Sequence, residues 1–142
     1  MATVDENFLA FLKADSTIAR LVGARIHENQ VPQNPTGDYI WFALAGEEDE
    51  YCLDDADGAA PFRFRYAVEC VGYSSSDKTY GLRKSREIAN AVKSRVKNYN
   101  GSFGDSTVQG LFVDEVSEDY EPRNDFSDLG FHTRSIAVEV IP

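Results

Sequence analysis

A chain of 142 residues with 42% hydrophobic and 12% aromatic side chains can bury a core as one domain, and this composition excludes intrinsic disorder. A net charge of -10 argues against sequence-specific nucleic-acid binding and against an anionic membrane surface, both of which select basic proteins. No apolar run is long enough to span a bilayer, and the opening MATVDENFLAFLKAD is acidic and amphipathic where a targeting segment would be basic or continuously apolar.

The first predicted helix covers residues 4–13, with Phe8, Leu9, Phe11 and Leu12 as its apolar face. A second, short helix follows in DSTIARLVG. Asp15 or Ser16 caps its start, and Gly23 suits the position just past its end. Ile26 suits a short strand, after which Pro32, Pro35 and Gly37 mark a connector. DYIWFALA, residues 38–45, reads as a central strand because apolar residues occupy both faces. Residues 61–73 alternate: Phe62, Phe64, Tyr66, Val68 and Cys70 share one face, and Arg63, Arg65 and Glu69 point the other way. Together these strands read as a long β-hairpin whose tip is the intervening stretch.

After the helix-start signal SSSD, a helix is predicted over 77–98, about 33 Å long. Its stripe is Leu82, Ala89, Val92 and Val96, with Ile88 beside it. NYNGSFGDS breaks the helix, 108–116 reads as a strand and 117–130 as a polar connector. A last strand at 131–140 places Ile136, Val138 and Val140 on one face. The order α, α, β, β, α, β, β implies a single α+β domain over 1–142. It predicts a mostly antiparallel sheet of about four strands with a long β-hairpin, one long helix packed on a face and short N-terminal helices.

The stretch GEEDEYCLDDADG, residues 46–58, holds seven acids and no base: Glu47, Glu48, Asp49, Glu50, Asp54, Asp55 and Asp57. As a dedicated calcium loop it fails, and a weak divalent-cation site shared with a neighbouring chain stays open. With Gly58 at the sixth position, the first and twelfth fall on Leu53 and Phe64, which cannot ligate. As a glycosidase pair it lacks rigid placement and unequal environments. A solvated loop is the simplest reading. The alternative is a segment that acts by charge, facing a channel or meeting arginines of a neighbour such as Arg63, Arg65 or Arg123.

His27 and His132 sit in no zinc or metalloprotease pattern, and no P-loop, GxSxG or GxGxxG occurs. Cys52 and Cys70 have no CxxC spacing and read as reduced thiols. No catalytic, metal or cofactor site is expected.

The run LKADSTIARLVGARIHENQVPQNPTGDYIWFAL resembles the opening of the tail-completion, or tail-terminator, proteins of long-tailed bacteriophages. The matching pieces are Leu12 to Asp15, Leu21 to Ile26, Val31 to Gln33 and Tyr39 to Leu44. FRFRYAVECVGYSSSDKTYGLRKSREIANAV and the strand ending in EDYEP follow in the family's order. The long acidic stretch departs from it. This resemblance implies a virion tail protein, assembled in the bacterial host cytoplasm, that forms a ring of commonly about six subunits. The ring would stop tail-tube growth, meet the head connector or stopper protein, and leave a channel through which DNA passes unbound. The partners expected are the chain itself, the tube protein and the connector, with no membrane. The hairpin strands and the connector 117–130, including Tyr120 and Arg123, are the expected interface elements. Three other readings remain open: a head-side neck or stopper protein, a small cytoplasmic hydrolase with a dispersed triad, and an acidic decoy for a DNA-binding protein.

Overall fold

The computed structural model describes residues 3–30, 37–49, 61–74, 79–122 and 130–142. Helix α1 (Val4–Lys13) starts at a reciprocal cap. The Thr3 hydroxyl accepts from the Glu6 N–H at 3.1 Å, and the Glu6 carboxylate accepts from the Thr3 N–H at 2.9 Å. Helix α2 (Ser16–Val22) is capped by Asp15, whose carboxylate accepts from the N–H groups of Thr17 and Ile18. It stops at Gly23, whose φ of 61° is left-handed and open to glycine without strain.

The strands are β1 (Ile26–Glu28), β2 (Tyr39–Asp49) and β3 (Pro61–Ser74), then β4 (Tyr99–Phe103), β5 (Ser106–Pro122) and β6 (Gly130–Ile141). Helix α3 (Tyr80–Val96) lies between β3 and β4 in the chain. They form one six-stranded sheet in the order β1-β2-β3-β6-β5-β4. Only β1, which lies parallel to β2, departs from antiparallel pairing. The last strand therefore inserts between β3 and β5 and closes the middle of the sheet.

Helix α3 covers β3, β6 and part of β5, while α1 touches both edge strands, β1 and β4. A sheet whose two edges meet one helix is curled around it. The strands place Ile40, Phe42, Tyr66, Val68, Ile136 and Val138 on the helix side, all essentially inaccessible. Phe8 of α1 is at the centre, 4.8 Å from the Phe42 ring and 4.9 Å from that of Tyr66. The Tyr66 hydroxyl donates to Asp5, so the one polar atom of this large buried ring is satisfied. Among the described residues no helix is long and apolar enough to cross a membrane.

Several expectations are corrected. The sheet has six strands rather than about four, because Ile26–Glu28 and Tyr99–Phe103 both pair. NYNGSFGDS ends the helix but then forms β4 and a tight turn. Phe103 faces Ser106 across the two residues Gly104 and Asp105, and only the first has positive φ, the pattern of a II′ hairpin. The Asp105 N–H donates to the buried Asn7 of α1, which ties this turn to the first helix. Residues 117–122, expected in a connector, are paired to β6 as far as Pro122. The long helix is shorter than 77–98, and its buried stripe is Gly81, Ser85, Ile88, Ala89, Val92 and Val96, with Leu82 off it. Leu82 gives way to the small residues because the helix backbone approaches β3 closely there.

Candidate interaction surfaces

Period-two alternation points the remaining side chains to the other sheet face, away from the described helices. Near the hairpin end it is charged. Arg65 lies 2.7 Å from Asp114, 3.6 Å from Glu115 and 3.7 Å from Glu139, and Arg63 lies 3.7 Å from Glu139. Asp114 is the extra residue where β5 shifts register between Val113 and Glu115. The bulge is what brings two consecutive carboxylates to one arginine. Toward the middle of this face, Ala43, Ala67 and Ala137 lie side by side across β2, β3 and β6. Beyond them Ser135 donates to the Glu69 carboxylate. Partly exposed ion pairs contribute little stability each, but they occupy both arginines.

The acidic candidates are spread. Glu47, Glu48 and Asp49 belong to β2, opposite Phe64, Arg63 and Pro61. Glu47 is exposed. Glu50, Asp54, Asp55 and Asp57, with Cys52 and Arg123, lie outside the described residues. Tyr120 is a β5 residue in register with His132, rather than a connector residue. The surface near Glu47 is itself acidic. Burial, followed by the charges of Asp5 and Glu6, pushes the Glu28 carboxyl up. Burial and the hydrogen bond to Asp5 push the Tyr66 phenol up, with Glu28 and Glu47 adding to it.

Positive charge collects on α3. Arg83, Lys84, Arg86, Lys93, Arg95 and Lys97 fall within residues 80–97, where Glu87 is the sole acid. Two shallow clefts adjoin along this helix. One, of about 920 Å³, lies between α2 and α3 and is lined by Arg20, Lys84, Arg95, Asp15 and Glu87. The other, of about 490 Å³, lies between α3 and β5 and is lined by Lys93, Lys97, Asn98 and Phe112. Asn90 and Ser94 border both. Arg95 is fixed: its guanidinium sits 3.9 Å from the centre of the Phe11 ring and donates to the Phe11 carbonyl.

Two polar knots were not anticipated. Glu118 accepts from Arg86 at 2.8 and 3.2 Å and from Arg134 at 2.6 Å. Hydrogen bonding to Arg86, reinforced by Arg134, holds its carboxyl at about 2, below the ordinary 4.5. A depressed folded-state pKa adds stability that is present above the unfolded value and lost as pH falls through the folded one. Acid unfolding of the wild type should therefore show an extra loss between pH 4.5 and about 2 that Glu118→Gln lacks. Circular dichroism across that range checks it. The second knot is Asp38, buried between Gly37 and β2. Its carboxylate accepts from the Tyr73 N–H at 3.0 Å and the Tyr80 hydroxyl at 3.1 Å, and its carbonyl accepts from Arg25 at 2.6 Å. It joins β2, β3 and the start of α3.

Among the described residues no group of three or more His, Cys, Asp or Glu side chains could hold a metal ion. His27 and His132 lie on strands separated by two others, and burial lowers the pKa of each. Cys70 is free and buried, and burial pushes its thiol up, away from the reactive thiolate.

No protein-family model matches the chain. No curated protein matches it either. Among solved structures, the fold is similar to that of a chain in the virion of a native gene transfer agent particle. The likeness spans 99% of this chain and 98% of that one, with a TM-score of 0.65 and 18% identity, and what it establishes is a shared fold.

Proposed function

We propose that the chain is a structural protein of a phage-like virion that caps the head-proximal end of a tail tube as a ring. In that role it stops tube growth and presents the head-joining surface around a DNA channel. The observation that carries the reading is the end-to-end fold likeness to a chain of a gene transfer agent virion. The order of sequence elements, which resembles that of tail terminators, agrees with it. So does a surface of shallow charged clefts whose lining includes neither of the described histidines, with Cys70 buried away from it. The reading contains no catalytic step. Its partners are copies of itself, the tube protein and the head connector, and DNA passes without specific binding. A head-to-tail ring needs two different complementary patches on each subunit, and the chain segregates its charge accordingly.

Electron microscopy of particles made without this chain tests the proposal. Tubes should overgrow, with scattered lengths and no heads, and a tagged chain supplied in trans should decorate the head-proximal end. Normal tube lengths, with the tag confined to the head, would replace this reading with that of a neck protein.

A further inference from the structure

We infer that the exposed side of α3, with the clefts that flank it, is the seat for the acidic segment 46–58 of a second copy of this chain. The inference rests on the ring reading and names the two patches it requires. The segment holds seven carboxylates and no base, so it needs cations to come close to any surface. Its own strand neighbours supply few of them: Arg65 already faces Asp114, Glu115 and Glu139, and Arg63, opposite Glu48 in the sheet, also faces Glu139. The surface from which it leaves is acidic: Asp5 and Glu6 add to burial in raising the Glu28 pKa, and Glu28 and Glu47 both add to the rise at Tyr66. Repulsion at the base therefore disfavours folding back onto the same subunit.

The α3 surface offers the opposite chemistry. Arg20 and Lys97 are exposed and Lys93 half-exposed, and no salt bridge among the described residues engages any of the three. They stand beside uncharged donors, Asn90 and Ser94, and beside Phe112, which is 42% exposed and offers apolar contact to Tyr51 or Leu53 of the incoming segment. Asp15 and Glu87 line only the cleft that holds Arg20, whereas the cleft of Lys93, Lys97 and Phe112 has no acid among its described lining residues and pairs cations with apolar surface, which a peptide carrying both carboxylates and Tyr51 or Leu53 matches better than a phosphate backbone does.

A charge swap tests this with the full-length chain. The patch variant K93E/K97E and the segment variant E47K/E48K/D49K/E50K are prepared separately, with circular dichroism confirming the wild-type fold and K93Q/K97Q as a milder control. Sedimentation at low salt should show concentration-dependent association of the wild type, weakened about tenfold in K93Q/K97Q and also by added salt. Neither reversed variant should associate alone, and their mixture should form a one-to-one pair. Carbodiimide cross-linking of mixed nitrogen-14 and nitrogen-15 wild-type chains should join Lys93 or Lys97 to 46–58 between chains.

A wild type that stays monomeric to millimolar concentration would overturn the inference. So would unweakened association of K93E/K97E, a mixture that does not pair, or cross-links only within one chain. Binding of duplex DNA that K93E/K97E abolishes would assign the patch to nucleic acid instead. Pairing by charge swap with no effect on tube length would leave this contact standing and remove the ring reading. Capped tubes built from K93E/K97E alone would do the reverse.

Discussion

Gly72→Ala should lower the thermal unfolding midpoint by about 10 °C. A Cβ at position 72 would lie 2.2 Å from the Gly81 carbonyl oxygen and 2.9 Å from the Ser85 nitrogen, both in the backbone of α3. Backbone cannot swing aside as a flexible side chain can, so either the helix lifts from β3 or the strand bends. Overpacking of this kind costs about 3 kcal/mol, and each kcal/mol moves the midpoint of a domain of this size by about 3–4 °C. The contact explains why the helix stripe begins with Gly81 and Ser85: small residues on both surfaces let the two backbones meet. Gly46→Ala is the control. It adds the same methyl where nothing lies within 4 Å, and its effect should stay within about 0.5 kcal/mol. Equal midpoints for the two variants would mean that α3 is not seated on β3 at this point.

Phe8→Ala should be the most damaging single truncation, costing about 3–5 kcal/mol. Phe8 is fully buried and meets Phe42 of β2, Tyr66 of β3 and Phe103 of β4, the last at 6.0 Å. One side chain thus links α1 to strands from both halves of the curled sheet. Because a domain is stable by only about 5–15 kcal/mol, a third or more of the total is at stake. The loss should not be uniform. Amide hydrogen exchange should quicken first in β4 and β1, the edge strands that α1 holds, and last in β3 and β6 at the centre. Leu44→Ala, at a site 38% exposed, should be much milder. Uniform loss of protection in Phe8→Ala would show that the curl does not depend on α1.

What was legible in the sequence is what is local. The apolar face Phe8, Phe11 and Leu12 specifies α1, because its residues recur at helical spacing and its partners need only be apolar. Asp15 and Gly23 bound α2 through bonds that reach two to four residues along the chain. The alternation through Tyr66, Val68 and Cys70, and through Ile136, Val138 and Val140, separates the two faces of the sheet before any partner strand is known. The spacing Thr3-x-x-Glu6 was a readable cap of the same kind. The mixed α/β character and the net acidity follow from these runs and from composition alone.

Tertiary structure decided everything that depends on which strands become neighbours. Periodicity says nothing about strand order, so only the fold inserts β6 between β3 and β5 and sets Glu139 beside Arg65. Glu118 meets Arg86 and Arg134, which are 32 and 16 residues away, because β5 and β6 align in one register with α3 laid above them. Strand β4 was hidden because its glycine- and asparagine-rich sequence has weak strand preference, and pairing with β5 and cover from α1 outweigh that preference. The sequence by itself determined how much charge of each sign the chain carries. Which arginines are already neutralised, and which cations on α2 and α3 make no salt bridge among the described residues, was decided by packing, since an ion pair is fixed by distance in space and not by separation along the chain.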